Sequence, residues 1–354
     1  LSYNSVKKIP KRWANITVAL ILLYSLLFFI KGIIIPWYVP VSMVTALVCL
    51  SVYYQKEELF LEDFKKILNF FMYYQLVGVL LIFFLPSLFT TVFLDFAEYK
   101  TFLGLFWYNT NGGPSFFDEL RFTGIAWEVG IWQFFLNANL IFAFHSKKST
   151  KYIALCILAI VTTFSTSAYF ILMFVIGSNL LISNKIKGIH VLFFILFGVL
   201  SYPLIKENIQ DKFTGKNAGS GLTRAADLII GIKLLQNNPI LGSDVDNGTA
   251  SSGSSEIWDI KKDLWIGNFT DGAFEGYMTV KNSNGLLRFM IDWGLPVSIF
   301  LLIITARSNL ILDKKIMFIF FTTLCLSMFS EPISRTSFFY FFILSGFLFK
   351  NKNR

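Results

Sequence analysis

In the segment RFTGIAWEVG, Arg121 and Glu128 stand seven residues apart. Seven residues are two turns of a helix, so the spacing puts both side chains on one face, just where a hydrophobic run begins. An ionisable group at the mouth of a membrane span is expensive unless it is paired or wet, which makes each such residue a functional candidate. Arg224 stands near the start of TRAADLIIGIKLLQ, where a guanidinium and the free N–H groups of a helix start would together hold an anion. Arg288 lies in NSNGLLRFMIDWGLP with Asp292 four residues on, and Glu331 and Arg335 share the short segment SEPISR. Each has a plainer alternative: ion pairs of Arg121 with Glu128, Arg224 with Asp227 and Arg288 with Asp292, and an interfacial anchor in SEPISR. As chemistry, arginine forks match the oxygens of phosphate and diphosphate, and a nearby carboxylate can take the proton of a hydroxyl nucleophile. A substrate with a lipid tail in the bilayer and a diphosphate at its surface suits both.

The elements that must position these groups read as membrane spans. Of 354 residues, 55% are apolar and only 15% charged, too little polar side chain to solvate a globule of this size. The net charge of +9 falls in short clusters between apolar runs, as at Lys7, Lys8, Lys11 and Arg12, or Lys147, Lys148 and Lys151. That is a topology signal and not a nucleic-acid stripe. Cys49, Cys156 and Cys325 lie far apart inside apolar runs, as small buried hydrophobes rather than a disulfide frame or metal ligands. His145 and His190 end apolar runs beside lysines, which is an interfacial position and argues against a His-based metal site.

A bilayer core of about 30 Å needs about 20 helical residues. On that rule spans are expected near 13–30, 33–54, 67–86, 124–144, 152–166, 168–183, 189–205, 294–307, 316–330 and 337–349, about ten in an all-α polytopic protein. The first reads as a retained anchor. The run 152–183 is either one overlong span or two short ones hinged at TTFSTS (Thr162–Ser167); two spans gather the basic turns and both termini on one side, the cytoplasm by the positive-inside rule. Two long extracytoplasmic loops follow, 87–123 and 206–293, with EPISRT (Glu331–Thr336) as a short third on the same side, and only 206–293 is large enough for folded structure of its own. Within it the helical spacing of Ala225, Leu228, Ile229, Ile232 and Leu235 predicts an amphipathic helix over 223–236, with Thr223 as N-cap and Asn237, Asn238 and Pro239 as a stop. The stretch 242–256 is turn-rich.

Three patches resemble the O-antigen polymerase and O-antigen ligase superfamily of bacterial envelope proteins: RFTGIAWEVG at the start of a span, TFSTSAYF at the hinge, and the series from Arg224 through NNPILG to SNGLLRFMIDWGLP around the large loop. Ligases of that family carry a His-Asn pair where Ser283-Asn284 stands here, so the likeness favours the polymerase (Wzy-type) branch. The resemblance implies a GT-C-like architecture in the bacterial inner membrane, as one transmembrane domain with its active site periplasmic. It implies metal-independent transfer, without a cofactor, of a growing glycan from undecaprenyl diphosphate to a hydroxyl of the next lipid-linked repeat unit. The implied partners are that lipid-linked oligosaccharide, membrane lipid and a chain-length regulator protein. Under this reading Arg121, Arg224, Arg288, Arg335 and Asn284 bind substrate, with Glu128 as first choice of base and Glu331 as second. Trp107, Trp258 and Trp265 are either sugar platforms or an aromatic belt. The rivals are the ligase, which transfers to lipid A core, and a lipid or solute transporter. A transporter would spread polar residues through the depth of the bundle.

Overall fold

The structure, a computed structural model, describes residues 10–31, 36–53, 57–94, 97–110, 121–125, 129–182, 206, 218–243, 284–308, 310–311 and 313–348, with backbone alone at 57–58, 94, 97, 218–227 and 348. The described residues are mostly helical. They form α1 (Lys11–Ile30), α2 (Tyr38–Val52), α3 (Glu57–Phe84), α4 (Val129–His145), α5 (Thr150–Val161), α6 (Thr166–Ile182), α7 (Ala218–Asn237), α8 (Gly285–Trp293), α9 (Leu295–Ala306), α10 (Lys314–Ser330) and α11 (Ser337–Leu348). Two stretches, Lys11–Ile30 and Leu59–Phe84, are long and apolar enough to cross a bilayer, and the shorter apolar helices have 10–17 residues.

Local chemistry sets the helix ends. Ser149 caps α5 by accepting from the Tyr152 N–H at 3.3 Å. Pro296 sits in the first turn of α9, where its missing N–H costs nothing. The 152–183 run is two helices, because Phe164 takes a left-handed backbone (φ 51°) and the Thr163 hydroxyl donates to the Ile160 carbonyl at 2.8 Å. Helices fall on nine of the ten expected spans; the remaining one, 189–205, lies outside the described residues.

The segment 87–123 departs from expectation. It carries an antiparallel sheet in the order β1 (Thr90–Leu94), β2 (Ala97–Phe102), β3 (Phe106–Asn109), β4 (Arg121–Phe122), so the 206–293 loop is not alone in holding structure between apolar runs. Its strands are short runs of Thr, Val, Phe, Trp and Tyr, which suit a pleated, half-buried surface. Tyr108 donates to the Gly78 carbonyl and Tyr74 to that of Leu105, tying the sheet to α3.

The chain divides into two compact units: residues 1–61, 222–312 and 328–354, and residues 62–221 and 313–327. In the first, α11 packs along α2 and α9, and Tyr24, Phe28, Phe289, Trp293 and Phe339 fill the core. In the second, α4 packs on α5 and α6, and Trp132, Phe134, Phe142 and Phe320 are buried. Cys156 is buried there, whereas Cys49 is exposed, contrary to expectation.

Candidate functional site

The first unit is organised around α8, a helix of nine residues that is too short to hold itself in water. Asn284 caps it, its side-chain oxygen accepting from the Leu287 N–H at 2.9 Å. Leu287 and Ile291 on α8 pack against Ile230, Leu234 and Leu235 of α7. The remaining face carries Arg288 and Asp292, one turn apart, with Nε and Oδ1 at 2.7 Å. The arginine has no exposed surface, and Asp292 is buried. A pair so placed is tolerable only because each charge neutralises the other, and removing one partner typically costs about 3–5 kcal/mol.

Neighbouring backbone clamps both ends of α8. At its start the Ser334 hydroxyl donates to the Gly285 carbonyl at 2.9 Å, and a Cβ on Gly285 would lie 2.3 Å from the Glu331 carbonyl oxygen. At its finish Gly294 and Gly242 interlock. Both have positive φ, 72° and 74°, and a Cβ on either would strike a carbonyl oxygen of the other segment, at 1.9 Å on Ile240 and 1.8 Å on Ile291. The Ser243 N–H donates to Ile291 at 3.2 Å and the Leu295 N–H to Pro239 at 2.9 Å. Lys31, just beyond α1, donates to the last carbonyls of α8, Ile291 at 3.2 Å and Asp292 at 2.8 Å, where a cation also suits the helix dipole. Tyr24, Tyr38 and Tyr340 lie within electrostatic reach of one another, and Asp292 and Arg288 act on both Tyr24 and Tyr340. The Tyr24 and Trp293 rings are 4.8 Å apart.

Asn284, Arg288, Glu331 and Arg335 therefore converge at α8 and the adjoining turn, Glu331 buried and Arg335 with its guanidinium 5.8 Å from the Tyr38 ring. Arg224 belongs to the same unit but is not at a helix start. α7 begins at Ala218, which puts Arg224 past the first turn and its free N–H groups, and Thr223 is not the N-cap. Arg121 belongs to the other unit and is not on a helix: it pairs with Asn109 in the sheet, and Gly124, at φ 65° against Trp132, turns the chain before α4 starts at Val129. The shared helical face with Glu128 is thus lost at Arg121, and Glu128 itself lies outside the described residues, as do Trp258 and Trp265. Trp107 donates its ring N–H to the Gly104 carbonyl at 2.8 Å.

Lys31, Tyr24 and Tyr340 belong to no motif; Lys31 closes the first apolar run, and the two tyrosines lie within the first and last runs. No family model, curated protein or solved structure matches the chain.

Proposed function

We propose that the chain is a membrane glycosyltransferase that polymerises lipid-linked oligosaccharide repeat units, passing the growing glycan from undecaprenyl diphosphate to a hydroxyl of the next unit. The observation that carries this reading is the buried Arg288 and Asp292 pair on a helix clamped by NNPILG and SEPISR. Buried charge among apolar helices is costly and is kept where it does work. In the reaction the bond from the anomeric carbon to the diphosphate oxygen breaks and the electron pair leaves on the diphosphate. The acceptor oxygen forms the new bond, and its proton passes to a carboxylate, for which Glu331 stands in the turn beside α8. Arginines stabilise the charge that grows on the leaving group. Large apolar side chains left exposed along α1 and α3, such as Leu22, Phe29, Phe70 and Phe83, suit a lipid surround in a bacterial inner membrane.

Incubating the purified protein with diphosphate-linked oligosaccharide lipid should give a ladder of longer glycans on a gel, and failure to lengthen an authentic donor would refute the reading. In cells, Arg224→Ala should leave single repeat units in place of long chains; a normal ladder would remove that residue from the site. A second reading, transport, draws on the second unit, where neutral polar residues run along α4: Gln133, Asn137 and Asn139 are all buried. Movement of lipid-linked oligosaccharide across a liposome membrane without lengthening would favour it. The ligase alternative requires transfer to lipid A core supplied as acceptor.

A further inference from the structure

Tyr24 has no exposed surface, and its hydroxyl, inside the first unit, has no hydrogen-bond partner among the described residues. A buried hydroxyl without a partner is a standing cost that a phenylalanine would avoid. Its surroundings suggest what it waits for. Asp292, Arg288, Tyr340 and Tyr38 are its electrostatic neighbours, and its ring lies against Trp293, the residue following Asp292. At rest Asp292 is served by Arg288 at 2.7 Å, while Lys31 is occupied on the Ile291 and Asp292 carbonyl oxygens.

Resting on the reading above, we propose that Tyr24 is a positioning residue: when Arg288 turns to a diphosphate oxygen, the Tyr24 O–H takes its place as donor to the Asp292 carboxylate. A buried carboxylate abandoned by its cation would oppose that turn, and a waiting neutral donor lowers the opposition without competing for the arginine. No covalent bond changes. One hydrogen bond is exchanged for another, and both charges remain satisfied.

The test uses the full chain in detergent, with undecaprenyl diphosphate as probe and its rise in Tm as readout, for the wild type, Tyr24→Phe, Asp292→Asn and the double variant. Without probe, Tyr24→Phe should keep or slightly raise Tm, since the lost hydroxyl had no partner. With probe it should lose most of the wild-type rise, and its rate of ladder formation should fall at least about tenfold, near the low end of what a hydrogen bond to a charged group is worth. In the Asp292→Asn background, where no charge needs a donor, Tyr24→Phe should have no further effect. A drop in resting Tm, or an equal loss in both backgrounds, would overturn the proposal. A wild type that shows neither a ladder nor a probe-induced rise would overturn the glycosyltransferase reading, and with it any role for Tyr24 in that exchange.

Discussion

The two units bury polar groups in different ways. In the second unit every buried polar side chain among the described residues is neutral. Trp132 donates to Gln75 at 2.7 Å, Gln75 to Thr162 at 3.2 Å, Gln133 to Ser327 at 3.3 Å, and Tyr152 to Asn69 at 2.9 Å. Amides and hydroxyls of this kind join helices at small cost because each both donates and accepts. In the first unit Arg288, Asp292 and Glu331 are buried, all three ionisable. Cohesion does not need a fully buried charged residue, since the second unit has none among its described residues, so those of the first unit call for a different explanation.

That contrast can be broken most severely at Arg288. Arg288→Ala leaves Asp292 buried alone and should cost about 3–5 kcal/mol in thermal unfolding. Arg288→Met with Asp292→Leu should recover most of that stability and none of the ladder; recovery of both would make the pair structural. Gly294→Ala combines a positive φ with a clash on Ile240 and should cost roughly 3 kcal/mol, with a parallel loss of ladder because α8 is released. Gln75→Leu, the counterpart in the second unit, strands the Trp132 ring N–H and should cost about 1–2 kcal/mol while glycan length stays normal. If Gln75→Leu abolished polymer as fully as Arg288→Ala, the division between a neutral frame and a charged centre would fail.

Long apolar runs made the helices legible, because a run of Leu, Ile and Phe needs no partner to be recognised. The sheet was not legible because TTVFL, AEYKTF and FWYN are each only four to six residues long, and pairing between strands, not periodicity within one, makes them a sheet. Of the site, the types were readable and the grouping was not. Arg288 and Asp292 announce themselves at a four-residue spacing, yet nothing in the chain order says that residues 31 and 292 meet, or that 242 and 294 interlock. Arg121 shows the converse error, since a spacing that fits a helix was broken by one glycine.

The interlocked glycines carry one more consequence. They pin residues 239–243 and 291–295 to the same patch of backbone, so the chain between 244 and 283 departs from and returns to a single anchorage. Loop closure grows only as the logarithm of length, about 0.6 kcal/mol for each doubling. The number of residues between the two anchors therefore bears little on closure, whereas a side chain at Gly242 or Gly294 would part the anchors themselves. Length between the anchors is cheap to vary, and the two glycines that join them are not.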